Sequence, residues 1–495
     1  MISKVNSTNT FETDVLVIGS GAGGAVTASV LAKKGIDVTL IEEGSHYSPA
    51  DHSPYSSIGM AKLYRQHGVT PILGKPSIAF VEGCCVGGST EINSGLFHRT
   101  PDETIENWQR TSDIAEFTHD NMEPYFKELE KKLNISYLDG VLPKSSEIIK
   151  SGAESLGWKC VEVPRAQKNC TGINLCSIGC PMGAKQSMSV TYIAEGLKNG
   201  IKLIQRSKVV KLETEKNRIH TVNAISNGDN GKQKFLRIKA NDIFVCCGAI
   251  QTPALLRKSG LKRNIGENLK LHPTIKITAL MNEEVNAIQS TVPVFQVFEF
   301  APEIVIGGSV FSLPYTATGL SDCWGEAQEK MELWNRMVTY YALVRSSGKG
   351  KVRAFPSAEN YAFSYYKTTK KDHRNLSIGL ARLGQLFFAA GAKELYPTIS
   401  GHPPFKKVDE CLVYLEKNIP LKRSGLLTIH IFSSCPMGEN KNISATNSFG
   451  KVWDYDNLYI NDASLFVDAL GVNPQGTIMA IALRNINHYL SNRKN

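Results

Sequence analysis

Asp14-Val15-Leu16-Val17-Ile18-Gly19-Ser20-Gly21-Ala22-Gly23-Gly24 decides the architecture of the N-terminal region. Asp14 to Ile18 is short, β-branched and apolar, the pattern of a buried strand. It enters a glycine turn, after which Ala25, Ala28, Leu31 and Ala32 recur at helical spacing until Gly35. A second strand, Asp37-Val38-Thr39-Leu40-Ile41, ends on Glu42. Strand, glycine turn, helix, strand and acid, in that order, form the dinucleotide fingerprint in its structural context. Gly19 permits the tight turn, and Gly21 lets backbone N–H groups approach a pyrophosphate. Ala22 opens the helix whose positive end faces that pyrophosphate, and Gly24 lets helix and strand pack closely. Glu42 is placed to accept hydrogen bonds from ribose hydroxyls, and its charge disfavours a 2′-phosphate, which argues against NADP.

The chain has 495 residues, too many for one ordinary core, so two or three interleaved domains are expected. An apolar fraction of 42% with 21% charged residues excludes general disorder. The longest apolar runs, such as Ile243 to Cys247, are far below the roughly 18–20 residues that cross a bilayer. Met1 to Thr10 has no apolar core of a secretory signal, so a cytoplasmic location is the default expectation. Export together with a signal-bearing partner subunit stays open. A net charge of +10 admits an anionic partner. The basic residues are scattered, however, apart from the segment Lys367 to Arg374, and no nucleic-acid-binding signature accompanies them. Eleven cysteines, an odd number, argue against a full disulfide framework.

Further motifs lie at Gly83-Cys84-Cys85-Val86-Gly87-Gly88-Ser89-Thr90-Glu91-Ile92-Asn93 and from Gly248 to Leu261. Others are Ile265-Gly266-Glu267-Asn268-Leu269-Lys270-Leu271-His272-Pro273, Asn461-Asp462-Ala463-Ser464 and Gly471-Val472-Asn473-Pro474-Gln475. Together they resemble the glucose–methanol–choline (GMC) oxidoreductases, a family of flavoenzymes, from about Asp14 to His488 and most weakly between about 276 and 425. The resemblance implies an α/β fold (α+β overall), with a Rossmann-like FAD-binding domain interleaved with an antiparallel-sheet substrate-binding domain. The expected FAD-binding pieces are 11–100, 201–275 and 426–495. Residues 101–200 form a helical and cysteine-loop insertion, and 276–425 the substrate domain. Gly87, Gly88 and Ser89 offer close backbone approach and a hydroxyl to the flavin and its diphosphate. Asn93 reaches the ring edge, Val209 stands where the family's backbone contacts adenine, and Asp462 and Ala463 join the cofactor site. Ile92 stands where some members tether FAD through a histidine, so the FAD is expected to be noncovalent.

Strands are expected at 201–204, 208–212, 244–248, 292–297 and 361–366, with a turn at 227–231. Helical runs are expected at 326–343 and 373–391. There is no internal repeat.

Oxidation of an alcohol by flavin needs an acceptor for the hydroxyl proton while a hydride leaves carbon. His430, ahead of Ser433-Ser434-Cys435-Pro436-Met437-Gly438, matches the family's active-site histidine, although Ser433-Ser434 replace a Gly-Thr pair. Asn473 matches the second active-site position. An asparagine cannot titrate, so the resemblance makes His430 the base and Asn473 the residue that orients the substrate oxygen. His272 reads as a structural corner, and His98 as a weaker candidate for substrate contact. The expected reaction converts CH–OH in an alcohol, sugar, cyclitol or sterol to a carbonyl. A dehydrogenase is expected, with an oxidase or a hydroxynitrile-lyase-like enzyme as the alternatives.

Cys170, Cys176 and Cys180 read C-x5-C-x3-C-P, a ferredoxin-like run in which Ile173 replaces one cysteine. The loop is similar to that of the catalytic subunits of bacterial FAD-dependent sugar dehydrogenases, which hold a three-iron cluster and pass electrons to a cytochrome. Three thiolates suit a [3Fe-4S] cluster, and they equally suit a glycine-rich loop of plain thiols.

Overall fold

In the computed structural model, which describes residues 8–52, 57–68, 70–228, 232–355 and 362–493, two sheets divide the chain. The first begins where the fingerprint does. Thr8–Ile18 pairs in parallel with Val38–Ile41 on one side and with Gln233–Val245 on the other. Lys202–Ile204 extends the parallel edge beyond Val38–Ile41. Gln233–Val245 is long enough to carry two neighbours on its far side. Arg218–Asn227 lies antiparallel against its first half and Leu458–Ile460 parallel against its end. The C-terminal tips of the parallel strands therefore open onto one edge, where an α/β sheet binds its ligand.

The second sheet has eleven strands and is mostly antiparallel. Its centre is Thr274–Met281, flanked by Met337–Val344 and, on the other side, by Leu426–Thr428 and Ala392–Pro397. Thr70–Gly74, Ile78–Phe80 and Cys160–Glu162 also belong to this sheet. The two units therefore share the chain more finely than the ranges 11–100, 101–200, 276–425 and 426–495 suggest. Lys370–Ala389 covers the sheet with a buried face that includes Leu376, Leu380, Leu383 and Phe387. This helix starts on a capping box between Thr369 and Asp372, which satisfies two otherwise free backbone donors.

The run 326–343 departs from its expected helix. Only Trp324–Ala327 is α-helical. Gln328–Arg336 is a kinked 3-10 segment, and Met337–Val344 is a buried strand. Eight residues buried from both sides read alike as helix or strand. The strand expected at 292–297 is confined to Phe295–Val297. Part of the turn expected at 227–231, Tyr361 and residues 1–7 lie outside the described residues. Among the described residues no helix is long and apolar enough to cross a membrane. All eleven cysteines are unpaired.

His430 sits between Leu426–Thr428 and the short strand Ile431–Phe432, which pairs with Lys270–Leu271. Directly after it, Ser433 has φ +65°, and its hydroxyl is buried without a partner. A left-handed conformation costs an L-residue roughly 1–2 kcal/mol. An unpaired buried hydroxyl adds a similar penalty, partly offset by the greater chain entropy of glycine. Ser433→Gly is therefore expected to stabilise the fold by about 1 kcal/mol, read as a rise in melting temperature. A fall would show that the serine is not strained.

Candidate active site

Helix Ala22–Lys33 has no side-chain cap on Gly21 and no acid in its first turn, so its leading N–H groups are left for a ligand. Its glycines divide by role. A Cβ on Gly23 would collide with the Asn461 carbonyl and one on Gly24 with the Gly19 carbonyl, whereas one on Gly21 meets nothing within 4 Å. Gly21 faces a cavity. Gly88 closes on Gly21 from the second glycine cluster, and the Gly87 N–H donates to Ser20 Oγ at 3.1 Å. Glu42 accepts from Ser20 N at 2.9 Å, Ser20 Oγ at 2.7 Å and Gly44 N at 2.9 Å. Burial raises its carboxyl pKa while those bonds oppose the rise.

A single cavity of about 800 Å³ is lined by Gly19, Gly21, Ala22, Glu42 and Val209 and by Gly88, Ser89, Ile92 and Asn93. It continues past Asp462 and Ala463 to His430 and Asn473. Gly24 and Gly87 stand behind it, the first packing helix to strand and the second shaping the turn with φ +96°. Asp462 ties helix Gly248–Lys258 to the turn Ala463–Leu465. It accepts from Gly248 N at 2.8 Å, from the Thr252 hydroxyl and from Ser464 N at 2.8 Å. Asn93 accepts from Gly95 N at 3.1 Å, and its amide donates to Gln475. The cradle fits a dinucleotide: donors left by the helix start at one end, a buried acid one strand over, and between them a glycine whose Cβ position is open.

At the other end, hydrogen bonds fix the protons. Gly471 N–H donates to His272 Nε2 at 3.0 Å, so neutral His272 carries its proton on Nδ1. His272 Nδ1 lies 3.0 Å from His430 Nδ1. His430 therefore accepts there and holds its own proton on Nε2. Burial lowers both pKa values, that of His430 to about 3, with His98 nearby as a second cause. The Asn473 amide is 3.2 Å from His430 Nε2. Gln296 Nε2 is 3.1 Å from Asn473 Oδ1 and 2.9 Å from the Tyr341 hydroxyl, while Gln296 Oε1 is buried without a partner. With both amides turned, His430 Nε2–H donates to Asn473 Oδ1, and Asn473 Nδ2 and the Tyr341 hydroxyl donate to Gln296 Oε1, while Gln296 Nε2 takes the place that has no partner.

This arrangement bears on two readings. His272 is bonded to the active-site histidine and sets its tautomer, a role hidden behind its place in a corner motif. In that tautomer His430 presents a donor at Nε2 and has no lone pair there to act as base. His98 is buried, packs on Phe298 with ring centroids 5.9 Å apart, and has a pKa lowered by burial to about 4. Gln296, Tyr341 and Lys276, another residue of the cavity wall, carried no motif.

The cysteine loop also departs from expectation. Among the described residues no three His, Cys, Asp or Glu side chains are placed to hold a metal, and Cys170, Cys176 and Cys180 are no exception. Cys170 is exposed, and Cys176 opens the turn Cys176–Ile178. The loop is organised instead by Lys185, whose ammonium donates to the carbonyls of Cys176 at 2.6 Å, Glu91 at 2.6 Å and Asn93 at 3.1 Å.

Fold and cradle together define an FAD-binding α/β oxidoreductase. Residues 60–274 and 351–482 match the GMC oxidoreductase family, and residues 12–75 match an FAD binding domain. The chain is 42% identical to an uncharacterized GMC-type oxidoreductase of Sinorhizobium fredii, across 97% of this chain and 95% of that one. It is 28% identical to a long-chain-alcohol oxidase of Arabidopsis thaliana, across 95% of this chain and 66% of the plant protein. The crystal structure of pyridoxine 4-oxidase from Mesorbium loti shares the fold, with a TM-score of 0.74 at 17% identity over 97% of this chain and 100% of that one. The chain belongs to the GMC oxidoreductase family and is an FAD-dependent oxidoreductase.

Two outcomes are expected. Gly21→Ala should leave the melting temperature of the FAD-free protein nearly unchanged while weakening FAD binding. Gly24→Ala should lower that melting temperature by itself, and equal melting of the two variants would contradict the division. Long-range nitrogen–proton spectra of histidine-labelled protein should show His430 as the Nε2–H tautomer and His272 as the Nδ1–H tautomer. Neither ring should titrate between pH 5 and 8, and a titration in that range would overturn the assignment.

Proposed function

We propose that the chain oxidises the CH–OH group of an alcohol to a carbonyl, with FAD held noncovalently. The observation that carries this reading is the continuity of one cavity from the dinucleotide cradle to the His430–Asn473 pair. FAD supplies, when bound, the acceptor for the hydride that leaves the carbinol carbon. Gly21, Ala22 and Glu42 would hold its pyrophosphate and ribose, Val209 its adenine end, and Gly88, Ser89 and Asn93 its ring and nearer phosphate. Asp462 and Ala463 would flank it.

In the substrate complex His430 Nε2–H turns from Asn473 Oδ1 to the substrate oxygen, and the second N–H of the Asn473 amide joins it. As the O–H bond breaks, negative charge grows on that oxygen, and a fixed N–H donor in a dry pocket stabilises it until the hydride leaves carbon. The hydroxyl proton leaves ahead of the hydride to solvent that reaches the cavity, because His430 Nε2 already holds a proton. A cluster in the cysteine loop would give electrons an outlet to a cytochrome, and the placement of Cys170, Cys176 and Cys180 lends that route, and with it the dehydrogenase, no support. The name of the plant relative favours a long-chain alcohol, and Met60, Leu426, Leu427 and Ile478 among the cavity's lining suit an alkyl chain.

Heating should release FAD from the polypeptide, and anaerobic primary alcohols should bleach it. Bleaching also excludes a lyase. His430→Ala should slow bleaching by about 10²–10³-fold, the usual loss for one such donor. Asn473→Ala should cost about tenfold, as for one neutral hydrogen bond. Equal losses would merge the two roles, and the absence of bleaching by any alcohol would sink the reading. Re-oxidation of bleached enzyme in aerated buffer within seconds would assign oxygen as the acceptor.

A further inference from the structure

We propose that Lys276 recognises a carboxylate on the substrate, so that the alcohol oxidised here is a hydroxy acid. The proposal rests on the alcohol-oxidising reading and narrows its substrate class. Lys276 lies on Thr274–Met281, two residues from Thr274, and both line the cavity. Alternate residues of a strand share a face, so the centre of the large sheet turns this lysine inward.

The ammonium has three donors, and the structure uses one. Nζ donates to Ser309 Oγ at 3.1 Å. Among the described residues no carboxylate forms an ion pair with it, and the one influence on its pKa, which falls to about 8, is enclosure. Other cations on the same wall are arranged differently. Arg65 pairs with Glu43 and Glu82, and Lys208 pairs with Glu43 at 2.8 Å. Lys258 stands near Lys208 and Lys211, towards the adenine end. Lys276 alone of these is set beside the reacting end and left without a counter-charge.

Its position follows from register. Lys276 stands opposite Tyr341 across the antiparallel pair, where Cβ atoms are about 5 Å apart. Tyr341 is joined through Gln296 to Asn473, and Asn473 to His430. The amine is thus on the wall that adjoins the substrate-oxygen site, and among the described residues no acid pairs with it there. An ammonium in such a place is matched by an anion through a charge-assisted hydrogen bond. One ammonium with one neighbouring hydroxyl offers few donors, which suits the two oxygens of a carboxylate better than a phosphate.

The test uses the full-length, FAD-loaded protein. Anaerobic bleaching is measured with ω-hydroxy acids of increasing length and with the matched n-alcohols. Binding is measured separately by titrating n-alkanoates, which cannot be oxidised, against the flavin absorption spectrum. The wild type should prefer a hydroxy acid of one length over its n-alcohol, and the alkanoate of similar length should perturb the spectrum. Lys276→Met should reduce that preference and weaken alkanoate binding by roughly 10- to 100-fold, the usual range for a hydrogen bond to a charged group. Lys276→Arg should retain much of both. A wild type without preference for hydroxy acids, or a Lys276→Met variant that loses both substrate classes equally, would overturn the proposal. The second outcome would make Lys276 the proton acceptor for every alcohol. Lys276-dependent alkanoate binding in a protein bleached by no alcohol would uphold the anion site and reject the oxidation reading.

Discussion

The helix that starts at Ala22 begins uncapped, and much of the molecule exists to keep it so. A side-chain cap would satisfy its first N–H groups and fill the space in front of them. The chain instead brings the backbone at Gly19, Cys246 and Asn461 against the flanks of the turn, with Gly23 and Gly24 permitting the approach. Gly88 approaches from the other side, and Asp462 ties the start of helix Gly248–Lys258 to the strand end after Leu458–Ile460. Four regions of the sequence converge on one pole of positive charge. That convergence explains the interleaved chain, because no contiguous stretch could surround the helix end on all sides.

Burial does the electrostatic work at the other end. Desolvation disfavours the charged form of every base in this region. It lowers His430, His272 and His98 far enough that none carries charge near neutral pH. With charge removed, the hydrogen-bond pattern decides what each ring can do. The backbone N–H of Gly471 cannot change its role, so it sets the His272 tautomer, and His272 in turn sets that of His430. In that pattern the histidine that sequence resemblance casts as a proton acceptor presents a donor, through a residue 158 positions away.

What the sequence discloses is what local chemistry determines. The fingerprint strand, turn and helix are legible because hydrophobic run, glycine spacing and helix period lie within one short stretch. His430 and Asn473 were found by motif, and the structure places both on the same cavity. Gln296, Tyr341 and Lys276 were not found. Their meaning comes from strand register, which brings 276 beside 341, and no local pattern encodes that pairing. Met337–Val344 was misread because a strand buried on both faces has no alternation to display. The cysteine spacing matched a cluster-bearing loop, but spacing does not fix where the thiols point. Here a buried lysine, Lys185, gathers the loop by its carbonyls and leaves the sulfurs unassembled.

The two ends of the cavity handle charge in opposite ways, and the contrast bears on what can enter. At the cradle, positive character comes from peptide dipoles, which cannot lose a proton and remain positive at any pH. At the sheet end, the corresponding cation is an amine whose charge is weakened by the enclosure that makes the site selective. An anion arriving there holds the amine's proton more firmly, so above the lowered pKa ligand and proton bind together. A neutral alcohol gains nothing from that coupling. The same burial that silences the histidines thus leaves one group in the pocket whose charge depends on the ligand, and a carboxylate is the ligand that would use it.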